Sequence, residues 1–231
     1  MTAAIIHMAG ERLLLDPAGG LYWPGRGVLV VSDLHLEKGS AAAARGSLLP
    51  PWDTRATLDV LAGLLRRYSP KIVVALGDSF HDSGGSGRLL RADRVRLHAM
   101  AEGTEFVWVL GNHDPSPPEG VAGSWVQEWE AGPFMFRHIA QRAGGEFCGH
   151  LHPKASVPVR GTVVTRSCFV TDGQRMMLPA LGAYTGGLDV GDPAVGKLFP
   201  KGGRVFLLGR ERLFSFALAG ARKRGVADVL G

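Results

Sequence analysis

The sequence predicts an α/β fold in which two β-sheets pack face to face with helices outside. Three observations lead there. The first half alternates short apolar runs with helical patterns in a β-α-β-α-β order, and the second half is mostly strands. The 231 residues, 45% of them apolar, suit one sizeable core and are short for two catalytic domains. No low-complexity linker or internal repeat interrupts them. Residues 1–231 are therefore expected to form a single domain, with 219–231, carrying Arg222-Lys223-Arg224, as a basic tail.

Strands are expected at Ala4–His7, Arg12–Leu15 and Val28–Val31, joined by turns at Ala9-Gly10 and Pro17–Gly20. Pro50-Pro51 leads into a helix over Thr54–Arg67. Its Leu58, Leu61 and Leu65 share a face, and Arg66-Arg67 lie at its negative C-terminal end. Pro70 stops it. A strand at Ile72–Leu76, a helix at Arg88–Ala101 and a strand at Phe106–Leu110 follow. Further strands are read at Phe134–Phe136, Glu146–Cys148, Thr162–Val170, Arg175–Leu178, Arg204–Leu208 and Arg212–Phe216. Trp23, Trp52, Trp108, Trp125 and Trp129 are scattered and read as core or interface; His7 and His98 read as ordinary strand and helix residues.

Five short motifs carry the chemistry: Asp33-Leu34-His35, Gly77-Asp78, Gly111-Asn112-His113-Asp114, His138 and Gly149-His150-Leu151-His152. Taken singly, each has an ordinary reading as a turn, an Asx-type loop or solvated histidines. Their ordered occurrence at or just after apolar runs points elsewhere, because ligands delivered from several strand ends can converge. Asp33, His35, Asp78, Asn112, His138, His150 and His152 supply oxygen and imidazole donors and no thiolate. They are too many for one tetrahedral zinc and suit two ions of borderline hardness such as manganese or iron, with zinc as a further alternative. On a strand, positions i and i+2 share a face, so Asp33/His35 and His150/His152 are each expected to present two donors together. Asp78, central in the set, can bridge.

Two cations roughly 3.5–4 Å apart neutralise a phosphodiester and lower the pKa of a shared water for in-line attack. The departing alkoxide then needs a proton, and an imidazole titrates in the useful range. His113 adjoins Asn112 and is not obliged to ligate.

This ordered set resembles the calcineurin-like metallophosphoesterases. Within them, the stretches Ser32-Asp33-Leu34-His35-Leu36-Glu37-Lys38, Gly77-Asp78-Ser79-Phe80-His81-Asp82 and Leu178-Pro179-Ala180-Leu181-Gly182-Ala183-Tyr184-Thr185-Gly186-Gly187 are similar to bacterial ligase-associated DNA-damage-response endonucleases, over most of residues 5–215. The resemblance implies a four-layer α-β-β-α sandwich of two mixed sheets. It implies one metal on Asp33, His35 and His152, a second on Asn112, His138 and His150, and Asp78 shared between them. His113 would be general acid or phosphate donor, oriented by Asp114. The expected activity is that of a manganese-dependent DNA endonuclease in repair, attacking through a metal-bridging hydroxide. DNA, single-stranded or structured, is the partner, in a setting with an ATP-dependent DNA ligase, a helicase and an exonuclease. The alternatives are a nucleotide or UDP-lipid pyrophosphate hydrolase, and a DNA-binding scaffold subunit with little turnover.

The gaps between ligands, 34 positions from Asp78 to Asn112, 26 to His138 and 12 to His150, leave little room for a large cap, though Ser79–Asp93 can form a small lip. An uncovered site suits a long phosphodiester. His81 and Asp82 read as substrate contacts or surface loop, and Arg137 as a phosphate contact or an outward strand residue. Tyr184 reads as a base-stacking ring or part of a tight turn. The net charge of +5, with 20 Arg against 6 Lys, is mild support for a polyanionic partner. No apolar stretch nears the ~20 residues that span a bilayer. The first ten residues lack a secretory pattern, and Cys148 and Cys168 form no Cys-x-x-Cys pair, so no membrane and a cytoplasmic location are expected.

Overall fold

Two mixed β-sheets stack on one another in the structure, a computed structural model that describes residues 2–141 and 144–220. The first sheet runs in chain order: β1 (Ala4–Met8), β2 (Glu11–Leu15), β3 (Leu21–Trp23), β4 (Val28–Val31), β5 (Ile72–Leu76), β6 (Glu105–Val109) and β7 (Ser124–Val126). β4 to β7 are parallel. Parallel neighbours need crossovers, and the helices supply two of them. α1 (Lys38–Ala44) and α2 (Asp53–Tyr68) lie between β4 and β5; α3 (Gly85–Arg88) and α4 (Arg91–Gly103) lie between β5 and β6.

The second sheet is built from β8 (Glu128–Ala131), β9 (Phe134–Arg137), β10 (Glu146–Cys148), β12 (Thr162–Thr171), β13 (Arg175–Met177), β14 (Gly203–Leu208) and β15 (Leu213–Leu218), in the order β15-β14-β12-β13-β10-β9-β8. β11 (Lys154–Val159) pairs with β12 alone, and α5 (Pro193–Leu198) precedes β14. Here β9, β10 and β13 are parallel and the other pairs antiparallel.

Alternation along each strand sorts side chains into three apolar layers. Val28, Val30, Val74, Leu76, Val107 and Val109 face Phe134, Phe136, Phe147, Phe169 and Met176 between the sheets. The opposite faces of β4, β5 and β6 (Leu29, Val31, Val73, Ala75, Phe106, Trp108) meet Leu58, Leu61 and Leu97 from α2 and α4. On the far side, Cys168, Val170, Met177 and Val205 pack under Val195 and Phe199 around α5. Strands covered on both faces must be apolar throughout, which is why β4 and β5 read as unbroken runs.

The helix expected over Arg88–Ala101 divides into α3 and α4, because Leu89 and Leu90 take extended backbone (ψ 128° and 144°). That break lets Leu89 enter the helix-side core. Short β3, β7, β8 and β11, and Ala-rich α1, carry too little periodicity to be read in sequence. Trp23 and Trp108 are core, whereas Trp52 stands exposed. The basic run Arg222-Lys223-Arg224 lies outside the described residues.

A buried ion cluster ties the second sheet together beside the strand ends. Fully buried Glu146 accepts from Arg175 Nε (2.6 Å) and the Gln141 backbone amide (2.7 Å), and pairs with Arg137 Nη1 at 3.4 Å. Removing it would strand the Arg175 guanidinium and leave Arg137 with Glu128 alone. Glu146→Ala is therefore expected to lower unfolding free energy by about 3–5 kcal/mol in urea titrations. A loss under about 1 kcal/mol would show that the cluster is solvated instead.

Candidate metal centre and active site

Every candidate ligand lies just beyond the carboxyl end of a strand: Asp33 and His35 after β4, Asp78 after β5, Asn112 after β6, His138 after β9, His150 and His152 after β10. The parallel register of β4, β5 and β6 brings Val31, Ala75 and Trp108 abreast, so the loops leave the sheet at one level. In open α/β sheets this edge is where ligands bind.

The loop conformation differs from the one expected. Asp33, His35, His150 and His152 are not strand residues with alternating faces. All four, and Asp78, have positive φ (51°, 42°, 70°, 46° and 47°). Each costs roughly 1 kcal/mol in this left-handed region, and such strain persists only where the surroundings enforce it. Alternate left-handed residues turn the i and i+2 side chains inward together. Backbone bonds fix the turns: His35 N–H donates to the Asp78 carbonyl and Leu36 N–H to the Ser79 carbonyl, both at 2.9 Å, and Gly182 N–H to the Asp33 carbonyl at 3.0 Å. The motif glycines allow the approach, since a Cβ on Gly111 would strike the Asp78 carboxylate and one on Gly149 the Ser32 hydroxyl.

The side chains gather in two sets that share Asp78. In one, His152 Nε2 stands 3.1 Å from Asp33 Oδ1 and 3.3 Å from His35 Nε2. In the other, His138 Nε2 stands 2.9 Å from Asn112 Oδ1, 3.2 Å from His150 Nδ1 and 3.3 Å from Asp78 Oδ2. The same Asp78 oxygen is 3.8 Å from His35 Nε2, so it faces both sets.

The donor chemistry fits cations. His138 Nδ1 donates to the Leu76 carbonyl at 2.9 Å, so in the neutral ring Nε2 presents a lone pair. That lone pair meets an amide carbonyl, a carboxylate and another imidazole nitrogen, contacts that a bound cation, or a proton on Nε2 in its place, reconciles. Electrostatics agree. Burial pulls His138 down, but its bond to Asp78 and the charges of Asp33 and Asp78 raise it to about 9. Burial raises the Asp78 carboxyl, yet His138 and the His113 amide bring it to about 2. Burial pushes His35 down to about 3 against the pull of Asp33 and Asp78, and lowers His150 with help from His138.

His113 lies beside these sets. Its ring Nδ1 donates to the His81 carbonyl at 2.7 Å, which turns Nε2 away from that contact, and its backbone amide donates to Asp78 Oδ1 at 2.9 Å. Its orientation does not come from Asp114, as expected from sequence. Both Asp114 oxygens accept backbone N–H groups, from Asp78 and Gly111 on one and from Ser79 and Phe80 on the other (2.7–3.1 Å). Asp114 is a buried clamp between the two loops. Burial lifts its carboxyl to about 6 even though these amides pull it down.

His81 reaches the site: its Nδ1 is 3.5 Å from His35 Nδ1, and its ring stacks on His113 at 5.2 Å. Asp82 turns away to Arg88 at 2.6 Å. Arg137 is not outward-facing; it is buried, paired with Glu128 at 2.9 Å and with Glu146, and lines the cleft beside Asn112 and His138. Tyr184 is exposed, with φ 61°. Two positions were missed in sequence. Ser32, directly before Asp33, donates to its Oδ2 at 2.5 Å; adjacency was the signal. Arg45 Nη2 lies 3.3 Å from His81 Nε2 across 36 positions, with no signal at all.

Two mixed sheets with flanking helices, opening at their strand ends onto carboxylate, amide and imidazole donors, define a metal-dependent phosphoester hydrolase. Residues 27–170 match the model of the calcineurin-like phosphoesterase family, and the chain belongs to that family, whose members use divalent metals. Among solved structures it is similar to the Pseudomonas putida nuclease MPE, at 27% identity and a TM-score of 0.72, over 93% of this chain and 100% of that one. It is also similar to Yfce, a phosphoesterase from E. coli, at 14% identity and a TM-score of 0.40, over 83% and 98%. No curated protein sequence matches. Among the described residues no helix is long and apolar enough to cross a membrane.

Proposed function

We propose that this hydrolase is a manganese-dependent DNA endonuclease acting in DNA repair, with two cations held through Asp78. The carrying observation is the single Asp78 oxygen facing both ligand sets, at 3.3 Å from His138 and 3.8 Å from His35. Asp33, His35 and His152 would hold one cation, and Asn112, His138 and His150 the other. Bound there, the cations supply charge neutralisation and a water acidified for in-line attack on a phosphodiester. The protein does the rest. Ser32 and the His150 amide fix the Asp33 carboxylate, the Leu76 carbonyl sets the His138 tautomer, and Asp114 holds the loops in register. His113, steered by the His81 carbonyl, presents Nε2 to protonate the leaving oxygen.

Similarity to the Pseudomonas putida nuclease supports a nucleic acid as substrate. Single-stranded or structured DNA, a cytoplasmic location, and a setting with an ATP-dependent DNA ligase, a helicase and an exonuclease complete the reading. The test is cleavage of linear and hairpin single-stranded DNA by protein stripped with chelator and reloaded with manganese. Internal cuts should return with the metal. Hydrolysis of nucleotide or UDP-linked pyrophosphates with DNA left intact would replace this reading.

A further inference from the structure

A cleft of about 280 Å³ opens against the second ligand set, with Asn112 and His138 in its wall. Away from them it is lined by Leu110 and Gly111, by Gln127, Gln141 and Ile139, and by the paired Glu128 and Arg137. This wall adjoins the place where a phosphodiester over the ligand sets would carry a flanking nucleotide. The question is which part of that nucleotide the cleft suits.

Charge decides against phosphate. Arg137 is the cleft's guanidinium, and it is already matched by Glu128 at 2.9 Å and by Glu146 at 3.4 Å. Glu128 itself is half exposed and would repel an anion. What remains is neutral: two primary amides, each offering two donors and an acceptor, beside half-exposed Ile139. Amides beside an apolar wall match the hydrogen-bonding edge and flat face of a nucleobase. The size permits it, since 280 Å³ is the room of roughly nine waters at about 30 Å³ each, more than one base needs. The wall is also held still. Gln141 is anchored through its backbone to fully buried Glu146 at 2.7 Å, and the same carboxylate braces Arg137.

We infer that this cleft is a subsite for one unpaired nucleobase next to the scissile phosphate, read by Gln127 and Gln141. The inference rests on the DNA-cleaving reading above and gives it a physical basis for strand preference. A base engaged in a duplex keeps its hydrogen-bonding edge occupied and its faces stacked, so it cannot enter; an unpaired one can.

The experiment uses single-stranded oligonucleotides in which one abasic position is moved stepwise past a defined cut. Wild-type protein should cut more slowly, by roughly three- to tenfold for each lost hydrogen bond, when the abasic position falls at one particular neighbour of the cut. In the Gln127→Ala/Gln141→Ala double variant the ratio of intact to abasic rates at that position should collapse towards one. Both glutamines are exposed, so folding is not at risk. Failure of wild-type protein to cut any DNA would overturn the functional reading itself. Cutting that is indifferent to every abasic position, or a sensitive position whose ratio is unchanged in the double variant, would overturn the subsite alone.

Discussion

An Asp78→Asn variant is expected to lose phosphodiesterase activity below detection while remaining folded. The amide keeps a carbonyl oxygen for the His113 backbone N–H, now bonded to Oδ1 at 2.9 Å. The other oxygen becomes an NH₂ that offers no lone pair to a cation. Because that oxygen faces both ligand sets, its loss is felt by both. Manganese titration by calorimetry should fall from two equivalents to one or none, with an unchanged far-ultraviolet spectrum. Two equivalents bound with wild-type turnover would show that Asp78 does not join the sets.

Replacing His113 tests a different part of the machinery. Its ring makes a 2.7 Å bond to the His81 carbonyl and packs edge-on against His35, 5.0 Å between ring centroids, without belonging to either set joined at Asp78. His113→Ala should therefore leave manganese stoichiometry at two and lower kcat on DNA by about 10²–10⁴-fold, the usual worth of a positioned acid. On bis(p-nitrophenyl) phosphate, whose leaving group departs without a proton, the defect should shrink sharply. An equal defect on both substrates would make His113 a phosphate anchor and not an acid. Full cleavage of DNA would remove it from the reaction.

The two predictions also mark how far the sequence could be read. The strands that carry the site, β4, β5, β6 and β9, were legible because burial on both faces demands continuous apolar runs. The convergence of the seven candidate donors was legible because each lies just after a strand-like run. Asp114 was misread for a related reason. Adjacency to His113 suggested a contact, but its real partners are amides as far as 36 positions away, brought near by the pairing of β5 with β6. The outward-facing reading of Arg137 failed because the acid opposite it on β8 and the acid on β10 become neighbours only in the sheet.

By itself the sequence determined which elements could turn inward: their donor types, their order, and the apolar runs that end beside them. Tertiary structure alone decided the left-handed turns at Asp33, His35, Asp78, His150 and His152, the meeting of both ligand sets at one Asp78 oxygen, and the neutral cleft next to them. The reason is physical. A left-handed turn at a non-glycine residue is locally unfavourable, so no local pattern announces it. It is held by backbone bonds from distant segments, such as Gly182 N–H to the Asp33 carbonyl, that exist only once the sheets have closed.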